Sequence, residues 1–391
     1  MAAANQPTTP LPLRIALVCP YSLSRPGGVQ GQVIGLAREQ ARRGHRVTVF
    51  APLDDEDDAP EGVDLVAIGH SVAVPANGSV APVTLSAVRV VRSLRTLQSV
   101  GFDAVHVHEP FAPGLPYGLL LSSAVPPLVA TFHRSGDSPL YRLLGPLARR
   151  MARRLAVRVA VSEAARASAV RALGGAYELG FNGVDTALFD GADPWPTERP
   201  AVLFLGRHEE RKGLRVLLDA FDGLLRRGDR ARPVLWIAGD GPLTAALRAR
   251  HPESPDIRWL GVLTEGEKAR RLTGSSVLCA PSLGGESFGM VLTEAMASRT
   301  VVVASDIDGY RQAAGGHAVL VPPDDPEALA DAVSDVLGGR RALSPTGVVG
   351  DSGARDRWLD AAAAHADRWS MTGLAAWYDR LYRLAMVGDR G

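Results

Sequence analysis

Short runs of apolar, β-branched residues alternate with longer segments of helical period from one end of the chain to the other. That is the pattern of parallel sheets covered by helices on both faces, an α/β chain. In the first half the strands read as Arg14–Cys19, Arg46–Phe50, Ala104–Val107, Leu128–Phe132 and Val157–Val161, with a helix entered near Val29 and ended by Gly44. Breakers gather between Thr186 and Pro200, where Asp193-Pro194-Trp195-Pro196-Thr197-Glu198-Arg199-Pro200 predicts a domain boundary. The rhythm then restarts with strand Ala201–Leu205, helix Leu214–Arg227, strand Val234–Ala238, helix Glu265–Leu272, and strands Val277–Ala280 and Val301–Ala304. Residues 339–354, rich in Gly, Ser and Pro, read as loop. Leu374, Trp377, Tyr378, Leu381 and Ala385 recur at helical spacing and predict a docked terminal helix. A chain of 391 residues exceeds what one core usually takes. The expected layout is a domain over 1–190, a linker over 191–200, a second domain over 201–368, and a helix over 369–391 packing back on the first.

Charge narrows the function by exclusion. The net charge is +1, and the first 195 residues carry 18 arginines against 16 acids, so no basic stripe marks a nucleic-acid binder. Cys19 and Cys279 close apolar strands, which fits a reducing compartment rather than a disulfide framework. Residues Met1 to Leu13 lack a basic region and a long apolar core, so a secretory signal is not expected and the expected location is the cytoplasm. The most apolar long stretch, Leu115 to Phe132, is interrupted by Pro116, Pro126 and Pro127, against a membrane span.

Candidate chemistry sits in loops at the carboxyl ends of strands, where backbone N–H groups and a helix dipole favour anions. Gly284-Gly285-Glu286-Ser287-Phe288-Gly289 follows strand Val277–Ala280 and leads into a helix bearing Glu294. Two carboxylates eight positions apart span up to about 12 Å of helix, enough for the two ends of an extended polar ligand, and carboxylates suit sugar or ribose hydroxyls. The alternative makes Glu286 a dipole-favoured charge and Glu294 a solvated residue. Gly206 to Gly213 follows strand Ala201–Leu205 and carries Arg207 and Lys212, cations suited to a diphosphate leaving group or to an ordinary helix start. Of 43 lysines plus arginines, only Lys212 and Lys268 are lysine, which hints that a compact ammonium is needed there. In the first half, Pro26-Gly27-Gly28-Val29-Gln30 follows the first strand and lets backbone approach a phosphate, without the dinucleotide fingerprint. His133 ends strand Leu128–Phe132, either as a donor to a hydroxyl or as a structural residue. His106, His108 and Glu109 resemble a metal cluster, but no other ligand groups with them and no metal is expected. The acidic run Asp54–Asp58 reads as a solvated loop.

Together these segments resemble the family-four retaining glycosyltransferases of the GT-B fold, and within them the phosphatidylinositol mannosyltransferase group. The likeness runs from about Arg14 to about Leu337 and rests on Pro20-Tyr21-Ser22, Pro26 to Gln30, Asn77-Gly78-Ser79-Val80-Ala81, His106-Val107-His108-Glu109-Pro110, Thr131-Phe132-His133, Asn182-Gly183-Val184-Asp185, Arg207 to Gly213, and Ala280 to Ala295. The resemblance implies two Rossmann-like doubly wound domains facing across a cleft, transferring a hexose from a nucleoside-diphosphate sugar. Mannose from GDP-mannose to a phosphatidylinositol-type lipid is the foremost expectation, with no metal and no cofactor. It assigns Arg207 and Lys212 to the diphosphate, Glu286 to the donor sugar and Glu294 to the ribose. Glu265 and Lys268 are assigned to the base, and Gly27, Gly28, Gly285, Ser287, Phe288 and Gly289 to the donor. His133 falls to the transferred sugar, and Tyr21, Gln30, Asn77 and Ser79 to the acceptor. The chain departs from the group mainly on the acceptor side: Ala76 and Pro82 replace an aromatic and a basic residue, and the basic lipid-facing helix is reduced to Arg89, Arg92 and Arg95. Peripheral contact with anionic lipid is expected from that helix or from the segment Arg149 to Arg158. A soluble acceptor, a non-catalytic nucleotide-sugar binder, and an oxidoreductase disfavoured by the missing fingerprint are the competing readings; oligomeric state is left open.

Overall fold

The computed structural model describes residues 11–388 except 26, 57–58, 61, 77–78, 135–138, 229–231, 287 and 340–352; for 75–76, 79–80 and 139–144 it describes backbone alone. The chain forms two compact units, residues 1–183 with 372–391, and residues 184–371.

In the first unit the elements run β1 (Arg14–Val18), α1 (Gly28–Arg42), β2 (Arg46–Ala51), β3 (Asp64–Ala67), β4 (Val72–Ala76), β5 (Ser79–Val83), α2 (Ala87–Val100), β6 (Ala104–His108), α3 (Leu115–Leu121), β7 (Leu128–Phe132), α4 (Pro139–Ala152), β8 (Leu155–Ala160), α5 (Glu163–Leu173) and β9 (Glu178–Leu179). Seven strands form a parallel sheet in the order β3-β2-β1-β6-β7-β8-β9, while β4 and β5 make a separate antiparallel hairpin. Strands β1, β6 and β7 are almost continuously buried, so they do not alternate apolar with exposed polar positions, and the polar side chains they carry, His106, His108 and Thr131, are buried with them. The strand expected at Val157–Val161 begins two residues earlier, because Leu155 pairs with Leu128 before an irregularity in register.

The second unit contains α6 (Thr186–Asp190), β10 (Ala201–Leu205), α7 (Leu214–Arg227), β11 (Val234–Ala238), α8 (Thr244–Arg250), β12 (Ile257–Gly261), α9 (Glu265–Gly274), β13 (Val277–Ala280), α10 (Met290–Ala297), β14 (Val301–Ser305), α11 (Asp308–Ala314), β15 (Val319–Val321), α12 (Pro326–Leu337) and α13 (Ala354–Asp367). Its parallel sheet has the order β12-β11-β10-β13-β14-β15. Helix α7 turns Leu214, Leu217, Leu218, Phe221 and Leu224 into the core, and each large apolar side chain fully buried contributes about 1.5–3 kcal/mol.

Residues 191–200, expected as a linker, belong to the second unit. The Trp195 backbone N–H donates to the Arg270 carbonyl at 2.8 Å, and its ring lies 3.8 Å from the Arg271 guanidinium, which also stacks 4.4 Å from Trp236. The breakers stop regular structure there without freeing the chain. The final helix α14 (Met371–Gly388) packs in the first unit almost entirely: Gln40 donates to the Ala375 carbonyl at 2.8 Å, and Trp377 lies against Gly180.

Candidate active site

Both sheets start from a central strand and grow outward in opposite directions, leaving a switch point between β1 and β6 in the first unit and between β10 and β13 in the second. Loops leaving the carboxyl ends of such neighbouring strands make the natural ligand site of an open α/β sheet. In each unit the candidate residues collect there.

In the second unit the loop after β10 folds as a short 3₁₀ turn, Glu210–Lys212, before α7. Gly213 joins the two with φ of 67°, and a Cβ there would lie 1.9 Å from the Pro281 carbonyl oxygen, so the close approach to the loop after β13 requires glycine. That approach brings Lys212 Nζ to 2.6 Å from Glu286 and Arg211 to 3.0 Å from the same oxygen. Glu286 is further held by Ser282 Oγ at 3.4 Å, itself bonded to the Tyr310 hydroxyl at 2.8 Å. Glu209, buried, spreads its two oxygens across Arg207 at 2.6 Å and Arg211 at 3.1 Å, aiming both guanidinium groups from one carboxylate.

A second pair lies one strand connection away. Thr264 caps α9 in a capping box with Glu267, and Lys268 on that helix reaches 2.8 Å from Glu294 on α10 and 2.9 Å from Glu265. Glu294 is therefore not a solvated residue: its side chain is 11% exposed. Burial raises its carboxyl above the ordinary range against the pull of Lys268. Burial alone would lower the Lys268 ammonium, but the Glu294 and Glu265 carboxylates outweigh it and hold it above its usual value. The two lysines of the chain thus each grip one of the two glutamates singled out by the sequence.

Phe288 is 3% exposed and its ring packs edge-on against Trp369 at 5.1 Å, so it is a core anchor for the loop, and a ligand contact from it would be through backbone. Arg207 and Lys212 do not open a long helix directly, since the 3₁₀ turn intervenes. Gly285 and Gly289 both hold positive φ, 72° and 77°, and Gly289 caps α10. Ser287 lies outside the described residues.

In the first unit, Gly27 caps α1 in extended conformation, and no described residue lies within 4 Å of where a Cβ on Gly28 would stand. Gln30, expected to meet the acceptor, spends its amide on the Ser22 and Arg25 carbonyls at 3.3 and 3.0 Å and is 7% exposed; it shapes the glycine loop. Asp54, first of the acidic run, is half-buried and held by neighbours: it accepts from Ser22 Oγ at 2.9 Å and from the Ser71 N–H at 2.6 Å. Burial opposes its ionisation, but those bonds hold its pKa below the usual range. The Tyr21 hydroxyl is pushed up by burial and by nearby Glu109. Asn77 and the Ser79 side chain lie outside the described residues.

His133 follows β7 and is more constrained than a free donor. Its Nδ1 lies 3.1 Å from the Asn182 amide oxygen, its Nε2 lies 2.9 Å from His108 Nδ1, and its N–H donates to Glu109 at 2.7 Å. Both ring nitrogens are engaged within the protein. Burial lowers its pKa to about 4 and that of His106 to about 3, so the imidazoles are neutral. Neither cysteine suits nucleophilic work, since burial pushes the Cys19 thiol up to about 12 and raises Cys279 likewise. Among the described residues no group of three or more His, Cys, Asp or Glu side chains is placed to hold a metal ion.

Comparison with known proteins gives this geometry a family. The model of Glycosyltransferase Family 4 matches residues 26–188 and that of Glycosyl transferases group 1 matches residues 199–338. The chain is 37% identical over 380 residues to a phosphatidyl-myo-inositol mannosyltransferase of Mycobacterium tuberculosis (strain ATCC 25618 / H37Rv), covering 95% of this chain and 96% of that protein. The chain belongs to the family-four glycosyltransferases. A phosphatidyl-myo-inositol mannosyltransferase of Mycolicibacterium smegmatis is 39% identical over 83% of this chain and 85% of its own. Among solved structures, Anabaena HepE in complex with UDP and glucose superposes with a TM-score of 0.68 at 17% identity, covering 94% of this chain and 99% of that one. Sucrose-phosphate synthase from Thermosynechococcus elongatus gives 0.68 at 18%, covering 95% and 98%. The fold of this glycosyltransferase is GT-B.

Sequence reasoning missed Glu209 and Arg211, both hidden in a run of charges, and Asn182, quoted only as part of a motif. The acidic pair followed directly by a basic pair in Glu209-Glu210-Arg211-Lys212 was the available signal.

Proposed function

We propose that this glycosyltransferase moves mannose from GDP-mannose to a hydroxyl of a phosphatidylinositol-type lipid with retention of anomeric configuration, the second unit taking the donor and the first the acceptor. What carries the donor half is the coupling of two lysines to two glutamates beside the switch point of one sheet. Arg207 and Lys212 are cations already aimed by carboxylates, so they meet a diphosphate with little reorganisation. Glu286 is suited to accept from the hexose hydroxyls, and Glu294, with Lys268 and Glu265, from ribose and base.

In this reading the acceptor oxygen attacks the anomeric carbon on the face from which the diphosphate leaves. The carbon–oxygen bond to phosphate breaks with its electron pair on the diphosphate, whose oxygen takes the acceptor proton. Arg207 and Lys212 stabilise the charge that accumulates there. A neutral His133 near the sugar avoids repelling the positive charge developing at the anomeric carbon.

The lipid half is supported by the names of the relatives and by α2. At about 100° per residue, Val88, Val91, Arg92 and Arg95 fall on one face of that helix, and all are exposed, Val88 at 73%. Interleaved arginine and valine suit peripheral contact with anionic lipid at the inner face of a membrane. Among the described residues no helix is long and apolar enough to cross one. The test is turnover of GDP-mannose with phosphatidylinositol vesicles against turnover with soluble inositol phosphate. Mannolipid formed only with vesicles supports the proposal; product only from the soluble acceptor rejects its lipid half.

A further inference from the structure

The first unit contains a row of three imidazoles that the transfer chemistry does not by itself require. His106 and His108 stack with ring centroids 4.3 Å apart, and His108 and His133 with centroids 5.1 Å apart. His106 is tied at both nitrogens, Nδ1 to the Tyr382 hydroxyl at 2.9 Å and Nε2 to Thr131 Oγ1 at 2.7 Å, and Thr131 meets the Tyr378 hydroxyl at 2.6 Å. Two tyrosines of the terminal helix therefore fix the inner end of the row. At its outer end sits His133.

The middle ring is the informative one. His108 is 2% exposed, and its Nε2 is buried without a hydrogen-bond partner among the described residues. Leaving a buried polar atom unpaired costs about 1–3 kcal/mol, so an apolar ring of similar size would hold the stack more cheaply. The use of a histidine lies in its other nitrogen, Nδ1, 2.9 Å from His133 Nε2. With the Asn182 amide oxygen facing His133 Nδ1, that nitrogen donates, so His133 Nε2 must accept and His108 Nδ1 must donate. Glu109, in the left-handed region with φ of 48°, takes the His133 N–H and fixes the backbone beneath the ring.

We infer that His108 is a positioning residue that donates from Nδ1 to Nε2 of His133, holding that ring neutral, with its proton on Nδ1. The inference rests on the reading under Proposed function that His133 meets the transferred sugar. It adds that His133 contributes as a fixed neutral ring and not as a base, because the lone pair a base would use is occupied by His108.

The test compares His108→Phe, which keeps the stacked ring and removes the donor, with His108→Asn, which returns an N–H near the Nδ1 position. Long-range ¹H–¹⁵N spectra of the imidazoles report the His133 tautomer, and steady-state kinetics report turnover. Wild type shows the Nδ1–H form; His108→Phe shows a mixture, an acidic limb of kcat moved to higher pH, and kcat lower by about tenfold, as for one lost neutral hydrogen bond, with donor KM unchanged. His108→Asn restores the tautomer and most of kcat. Unchanged His133 nitrogen signals in His108→Phe overturn the inference, as does an Asn variant that folds and fails to restore them. A shifted tautomer with unchanged kcat upholds the contact and instead rejects a substrate-facing His133. If the Phe variant does not fold, His108→Gln, whose amide lies past the Nδ1 position, takes its place with the same expectations.

Discussion

Replacing Lys268 by methionine keeps the stem and removes the ammonium that sits 2.8 Å from Glu294 and 2.9 Å from Glu265. The two losses are unequal. The Glu265 side chain is 70% exposed, and an exposed pair is worth less than about 1 kcal/mol. Glu294 is 11% exposed and is left as a nearly buried carboxylate without its counter-charge. Removing one partner of a fully buried pair costs about 3–5 kcal/mol; the residual solvent access of both side chains brings the expected cost to about 2–3 kcal/mol. For a unit of this size, each kcal/mol moves the midpoint by about 2–4 °C, so the variant melts about 4–12 °C below wild type. The loss depends on pH in a definite direction. Burial already raises the Glu294 pKa, and without Lys268 it rises further. The folded variant then binds a proton that the unfolded chain does not, and its stability falls as pH climbs from the ordinary carboxylate range through that raised value. Calorimetry at pH 5 and pH 8 therefore finds a wider gap at pH 8, and the double variant Lys268→Met/Glu294→Gln recovers most of it. A Met variant that melts with wild type at pH 8, or a double variant whose losses simply add, refutes the buried-pair reasoning.

Lys212→Ala loses most turnover, and Lys212→Arg restores only part of it, because a planar fork cannot occupy the place of an ammonium 2.6 Å from Glu286; wild-type kinetics in the Arg variant would count against this. Gly213→Ala combines a left-handed backbone with a Cβ 1.9 Å from the Pro281 oxygen and costs roughly 2–5 kcal/mol in chemical denaturation. Gly228→Ala, at φ of 66° with no described residue within 4 Å of the added Cβ, costs only about 1–2 kcal/mol, and equal losses in the two would remove the packing argument. On acidification, His106 and His133, with pKa values lowered by burial to about 3 and about 4, and His108, also lowered, stay neutral when folded and charge when unfolded. Their contribution is complete above about pH 6.5 and is lost as pH falls toward 4, at up to about 4 kcal/mol per pH unit for three protons; a flat midpoint between pH 7 and pH 4.5 contradicts it.

The sequence was legible where burial makes a simple pattern. Strands Ala201–Leu205, Val234–Ala238 and Val277–Ala280 and helix Leu214–Arg227 stand where the apolar runs end, because strands covered on both faces favour continuous apolar runs. Edge strands were not legible: Asp64–Ala67 and Ile257–Gly261 carry exposed, mixed residues and are defined by a neighbour's hydrogen bonds rather than by their own pattern. The scarcity of lysine pointed to Lys212 and Lys268, but their partners follow from loop and helix packing that joins Lys268 to Glu294 across 26 positions. His106 and His108 look like metal ligands in one dimension. Their partners Tyr378 and Tyr382 come from the far end of the chain, 276 positions away for Tyr382 and His106, and no local spacing reveals them.

The decisive measurement is a crystal structure of the enzyme with GDP-mannose. In that complex the diphosphate is expected within hydrogen-bond reach of Arg207 and Lys212, the hexose at Glu286 and the ribose at Glu294. Donor bound at any other surface, with the Lys212–Glu286 and Lys268–Glu294 pairs untouched, would contradict it.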